Sequence, residues 1–469
     1  MIRTRYRLAA PLALFVLAGC AVGPSYHRPS APVPTRYKGF PGWTQARPAA
    51  AGPKGTWWTG FHDPLLDRFE PQVAVSNETV RADYYAWRQS RAFVAEARGG
   101  LFPSIGLTGS AGENHAQRLT VSSGSLQGGA SWVPDIWGQI RRNVEERRAS
   151  AQESEATLAN ATLSEQAALA TDMIDLRIAD ADIGLLQKTV RAYRASLRIV
   201  RNQVAAGTAA PSDLLTARTE LEGARASLIN AGVARAEYAH AVAVLVGRLP
   251  ETVRIPPRKM LPRLPAIPVG VPSTLLERRP DIAAAERAMA AANAAIGVQI
   301  AAFYPTITLS ASGGFSGAPL NTLFAVANQV WSLGTDAALN LFEGGARRAA
   351  VGAAWDAYRA DVANYRGTVL AAFQQVENNL SSLRILAQEA AVEDQAVHDA
   401  RRAVQIALNE YQAGTQDYTT VVSAQVTLLA DQQTALNIRQ QRLLAAVDLI
   451  QALGGGWSNA GLAKNAPPE

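Results

Sequence analysis

Apolar and polar residues alternate with a period of two in two stretches of this chain, and each stretch has a counterpart elsewhere in the sequence. Within 303–348, Ile307, Leu309 and Ala311 alternate with Thr306, Thr308, Ser310 and Ser312. A second run sets Trp331, Leu333, Ala337, Leu339 and Leu341 against Ser332, Gly334, Asp336, Ala338 and Asn340. This period predicts strands with unlike faces, near 303–315 and 329–342. The earlier stretch, 101–142, sets Ile105, Leu107 and Gly109 against Ser104, Gly106, Thr108 and Ser110, and predicts strands near 101–113 and 125–137. Runs of roughly ten residues suit tilted strands crossing a bilayer, although a half-buried sheet in a soluble protein alternates in the same way.

The correspondence extends beyond the strands. Pro103 and Pro305 are 202 residues apart, and Gly138-x-x-Arg141-Arg142 precedes Gly344-x-x-Arg347-Arg348 by 206. Gly207 and Gly414, and again Gly247 and Gly454, are 207 apart. A near-constant offset across four landmarks is an internal duplication. It predicts one repeat over 61–249 and another over 273–455.

Each strand pair is followed by a proline-free stretch dense in Ala, Leu, Glu, Gln and Arg, at 139–206 and 346–413. These are strong helix formers, and helices of that length would run on the order of 100 Å. Gly207-Thr208 and Gly414-Thr415 supply helix ends, and helices over 211–246 and 417–453 return. Shorter helices precede the strand pairs, over 77–98 and 280–302. Helices this long without internal caps predict coiled-coil packing. Seven prolines in 250–272 predict an extended linker between the repeats, and 456–469 forms a tail.

The chain opens with Arg3, Arg5 and Arg7, an apolar run over 8–19, and Cys20. That is a secretory signal, too short to span a membrane. Leu17-Ala18-Gly19-Cys20 looks like a bacterial lipobox, which would make Cys20 the acylated first residue of the mature chain. Ala21 after it, where an Asp would retain the protein in the inner membrane, implies sorting to the outer membrane. Cys20 is the only cysteine, so no intramolecular disulfide can form. Residues 20–60, rich in Pro, Gly and Trp, predict a lipidated extended segment. The formal charge of +6 falls to about +3 once the three signal arginines are gone, which is too weak and too evenly spread to argue for nucleic acid.

Little here resembles enzyme chemistry. The five histidines are scattered, and only Asp394 and His398 share a helical i, i+4 spacing. A metal site needs three or four ligands, so a solvated helix face is the simpler reading. There is no Gly-x-Ser-x-Gly, no phosphate loop and no carboxylate pair with a partner base. Ser212-Asp213 and Ser164-Glu165 read as helix-start or surface residues. We expect no catalytic residue, no metal site and no cofactor.

One resemblance covers nearly the whole mature chain. It rests on Cys20-x-Val22-Gly23-Pro24-x-Tyr26-x-x-Pro29, on Trp57, Trp58 and Phe61-x-Asp63-Pro64-Leu65, and on LLERRPDIAAAE, FYPTITLSASGG, LFEGGARR and LGGGW. These motifs resemble the outer-membrane efflux lipoproteins, the TolC-like outer-membrane factors of resistance-nodulation-division pumps. The resemblance implies a mostly α protein with a transmembrane β part, assembled as a homotrimer whose twelve-strand β-barrel continues into an α-helical barrel. Counting strands agrees: four cannot close, and an open edge in lipid leaves backbone groups unpaired. It further implies a lipid-anchored exit duct with a periplasmic extension, working with a periplasmic adaptor and an inner-membrane transporter. In such proteins the helix tips close the tube, which nominates Asp213, Arg218, Asp417 and Tyr418 as gate residues. The turns at Gly207, Thr208, Gly414 and Thr415 would dock the adaptor. Asp213 and Asp417 could equally cap the returning helices. Many relatives carry an Asp where this chain has Ser423, so an aspartate ring at that level is in doubt. Two other readings stay open: a duct for exported protein or polysaccharide, and a non-pore coiled-coil lipoprotein of the envelope with a soluble β-domain.

Overall fold

The computed structural model describes residues 21–31, 56–116, 119–258, 260–267 and 278–457. The signal segment, Cys20, the end of the proline-rich linker and nearly all of the tail lie outside the described residues. The helices are α1 (Pro64–Ser76), α2 (Glu78–Gly99), α3 (Gln139–Ala205), α4 (Pro211–Leu245), α5 (Pro280–Ala301), α6 (Ala346–Gln412) and α7 (Tyr418–Ala452). The strands are β1 (Ser104–Ala116), β2 (Leu119–Trp132), β3 (Thr306–Gly317) and β4 (Gln329–Ala338). Among the described residues no helix is long and apolar enough to cross a membrane. The chain divides into two compact units, and each draws on both repeats: 1–31, 85–155 and 284–367 form one, and 32–84, 156–283 and 368–469 the other.

In the first unit the four strands form one antiparallel sheet in the order β1-β2-β3-β4. Strand bounds depart from those expected. β1 and β2 pair from Ser104↔Ser131 up to Ala116↔Leu119, so β1 runs on to Ala116 and β2 begins at Leu119, beyond the bounds expected near 113 and 125. β2 stops at Trp132 rather than 137, just before Pro134, which has no N–H to give a ladder. β4 stops at Ala338 rather than 342. Its partner there is Thr306, and Pro305 before it has no N–H for a longer ladder.

Residues 21–31 are held against this unit. The Val22 N–H donates to the Trp137 carbonyl at 3.1 Å, and Arg142 donates to the carbonyls of Val22 (3.0 Å) and Gly23 (3.2 Å). The Tyr26 hydroxyl donates to the Glu286 carboxylate. Gly23 has φ +100°, and a Cβ there would lie 2.5 Å from the Gly297 Cα. Gly23→Ala would therefore incur both backbone strain and a clash, about 1–3 kcal/mol. We expect a lower melting temperature and faster proteolysis within 21–31, both read on the purified variant.

In the second unit, Phe61, Leu66, Phe69 and Val73 pack with Leu169, Met173 and Ile174 of α3, Val242 of α4 and Val447 of α7. Beside this core runs a buried ionic chain. Arg177, 1% exposed, donates to Asp63 at 2.8 Å, to Asp180 at 3.3 Å and to the Pro256 carbonyl at 3.1 Å. Asp180 also accepts from Arg235 at 2.6 Å and from the Arg258 N–H at 3.0 Å. Asp63 caps α1 through the Leu65 N–H. Ser164 and Glu165 are not helix-start or surface residues. Both are half-buried in mid-α3, accepting from Gln451 (3.2 Å) and Asn77 (2.9 Å), because a helix this long passes other elements along its middle.

Candidate functional site

The two helical hairpins of the second unit turn in the same way. After α3, the Thr208 N–H donates to the Gln203 carbonyl (2.9 Å) and the Gly207 N–H to that of Val204 (3.1 Å). After α6, Thr415 donates to Glu410 (3.0 Å) and Gly414 to Tyr411 (3.1 Å). This pair of bonds is the Schellman closure of a helix C-terminus. Gly207 and Gly414 share φ +74°, and a Cβ on either would meet nothing within 4 Å, so backbone conformation rather than space requires the glycine.

The nominated gate residues fall into two groups. Asp417 and Arg218 are exposed, as are Gly207, Thr208, Gly414 and Thr415. Asp417 occupies the N-cap of α7, yet its side chain makes no capping bond; Asp213 lies in the first turn of α4, after an Ala210 cap. Neither carboxylate is a bonded cap, but both place negative charge at a helix N-terminus, where it is favourable.

Tyr418 belongs to the other group. It is 3% exposed, and its ring packs 5.2 Å from that of Tyr411 in a core with Tyr193, Val200, Leu221 and Val421. Burial, then neighbouring Tyr411, Glu220, Tyr193 and Asp213, raise the Tyr418 phenol far above its ordinary value. Burial and Glu220 push Tyr193 up to about 12, and burial and the Asp213 carboxylate raise Tyr411. The tip thus encloses three neutral phenols near the half-buried Asp213. Sequence reasoning found Tyr418 and missed Tyr193 and Tyr411. The one available signal was Tyr411 standing seven residues before Tyr418, across the Gly414 turn.

Ser423 is exposed, and its hydroxyl bonds to the Thr419 carbonyl of its own helix (3.0 Å). Asp394 and His398 are exposed on α6, and among the described residues no three potential ligands gather.

In the first unit, the register sorts the sheet into two faces. One carries Ser104, Thr108, Ser110, Ser125, Gln127, Thr308, Ser310, Ser312, Ser332 and Asp336. Hydroxyls pair across it, Ser110 with Ser125 at 2.9 Å and Ser312 with Ser332 at 2.8 Å. Asp336 is its one charged side chain among the described strand residues. The opposite face carries Ile105, Leu107, Leu126, Ile307, Leu309, Phe315, Trp331 and Leu333. Ile105, Leu107, Trp331 and Leu333 are largely exposed on it, with Glu113 and His115 on the same face at the far end of β1, and an exposed apolar patch of this kind marks a surface that meets a membrane or another protein. β1 and β4 are open edges, with backbone groups left to pair.

A family model described as "Outer membrane efflux protein" matches residues 71–248 and 271–455, one segment for each repeat. The toluene efflux pump outer membrane protein TtgC of Pseudomonas putida is 29% identical over 466 residues, covering 97% of this chain and 96% of that one. Outer membrane protein OprJ of Pseudomonas aeruginosa is 27% identical over 469 residues, covering 97% of each. Among solved structures, the outer-membrane channel OprN aligns with a TM-score of 0.83 at 26% identity, covering 93% of this chain and 100% of that one.

Proposed function

Because the chain belongs to the outer membrane efflux protein family, we propose that it is the exit duct of a tripartite efflux pump, passing small toxic compounds from the periplasm to the exterior. The observation that carries this is the two-faced sheet with two unpaired edges. A closed barrel in lipid needs an apolar outside, a polar inside and no edge. Three copies supply twelve strands to one β-barrel, and their paired hairpins form an α-helical barrel. Acylation at Cys20 anchors each copy in the outer membrane.

The periplasmic adaptor docks at the tips through Gly207, Thr208, Gly414 and Thr415, and the inner-membrane resistance-nodulation-division transporter supplies the energy. The tips are the gate: Asp213, Arg218, Asp417 and Tyr418 hold it closed until docking favours the open arrangement. Tyr418 acts from inside, by fixing the α6–α7 turn on Tyr411, while Asp417 and Arg218 meet the neighbouring copies.

Conductance of the purified trimer in a planar bilayer tests this, with the unaltered chain compared with Asp417→Ala/Tyr418→Ala. We expect a small closed-state conductance that rises several-fold in the double variant. A pore with unchanged conductance moves the gate elsewhere. Absence of any pore in both removes the duct.

A further inference from the structure

We infer that Leu341 and Phe342 of one copy seat in a pocket of a second copy of this chain, an intersubunit contact that rests on the trimer proposed above. The sheet is staggered. Ser104, Ser131, Ser310 and Gly334 share one level across the four strands. β3 nevertheless begins at Thr306 and β4 continues to Ala338, each four residues beyond that level. A constant stagger is what closes strands into a barrel. Carried on to the next strand, it sets the start of the neighbour's β1 opposite the residues just past Ala338. Those residues are 339–342, and Leu341 and Phe342 are each 91% exposed. They cannot turn to their own β1, which lies at the opposite edge of the sheet.

Immediately before β1 lies a matching recess. A pocket of about 450 Å³ is lined by Phe93, Glu96 and Ala97 of α2, by Gly100 just past its end, and by Ile140, Asn143 and Arg147 of α3. A Cβ on Gly100 would reach 3.3 Å from the Ala97 carbonyl and 3.4 Å from Ile140 Cγ2, so a side chain there would take up part of the space. Phe93 and Ile140 offer a phenyl ring apolar contact there, and Arg147 supplies a cation that its face attracts. Each copy therefore carries a plug at the base of one edge and a socket at the base of the other, a head-to-tail contact that closes as a ring.

Cross-linking in outer-membrane vesicles tests the contact. Cys20 is the only native cysteine, so the pair Ala97→Cys/Phe342→Cys, bridged with a short bis-maleimide, should give dimer and trimer bands on a denaturing gel. Each single variant should remain monomeric there. Light scattering of the detergent-purified double variant reports assembly separately. A trimer without cross-linked bands overturns the plug and socket and leaves the duct standing. A monomer, for the unaltered chain as well, overturns the trimer itself. A second variant, Phe342→Ser, should lose trimer at lower detergent concentration with its circular dichroism unchanged, whereas a trimer as resistant as the unaltered chain's counts against the contact.

Discussion

Arg177→Ala should destabilise the second unit by about 3–5 kcal/mol at neutral pH, the usual cost of deleting one partner from a buried ion pair. Asp63 loses its bond from Nε, and Asp180 its bond from the same guanidinium. The Arg258 guanidinium, 3.3 Å from Asp63, and Arg235 still reach the two carboxylates, which argues for the lower end of that range. The pH dependence separates lost charge pairing from lost packing. Burial acts to raise the Asp63 pKa, but the Arg177 hydrogen bond and charge, the Leu65 N–H and Arg258 together outweigh it and hold the carboxyl below its ordinary 3.8. A carboxyl depressed in the folded state adds stability above its unfolded value and loses it as pH falls through the folded one. The gap between the unaltered chain and Arg177→Ala should therefore be widest at pH 7 and narrow below about pH 4. Denaturant unfolding followed by circular dichroism at pH 7 and pH 3.5 measures it. An equal gap at both would make Arg177 a packing residue only.

The opposite sign is expected at Glu70. This α1 side chain is 0% exposed, neither carboxylate oxygen has a hydrogen-bond partner among the described residues, and burial with the nearby Asp67 charge pushes its pKa up to about 9. Below the ordinary value of 4.5 both folded and unfolded states hold the proton, and the group is neutral in its effect. Between that value and about 9 only the folded state holds it, so stability falls by about 1.4 kcal/mol per pH unit and levels off above. Glu70→Gln removes the slope. It should stabilise the protein by about 3 kcal/mol at pH 7, more at pH 9, and little at pH 4. Melting temperatures of the two proteins at those three values decide. A gap that does not grow with pH would mean that the carboxylate is already compensated.

Much of this fold is written locally. Gly207 and Gly414 must adopt positive φ, so each hairpin end is visible from a Gly-Thr pair after a long run of helix formers. The faces of the sheet are visible because Ile105, Leu107, Leu309 and Leu333 keep a strict period of two. Strand ends were less legible. Alternation continues through Leu339 and Leu341, and it is Pro305, just before β3 in the same chain, that ends the ladder. The tip core was hidden for a related reason. Tyr193 and Tyr411 lie on separate helices, and their counterparts one repeat away, Ala400 and Val204, are not tyrosines. Asp63 stood in a recognisable motif, but its partner Arg177 is 114 residues away, a distance no local pattern spans.

The duplicated helices constrain how such a chain can change over generations. α3 and α6 are both 67 residues long, and α4 and α7 both 35, although few side chains match between the copies. A substitution alters one contact. An inserted residue rotates everything beyond it by about 100° and advances it 1.5 Å, so every later contact of that helix would face the wrong way. Drift in composition with length held fixed is what that asymmetry permits. Length variants of this protein should survive best where no long helix counts residues, as in the proline-rich connection between the halves.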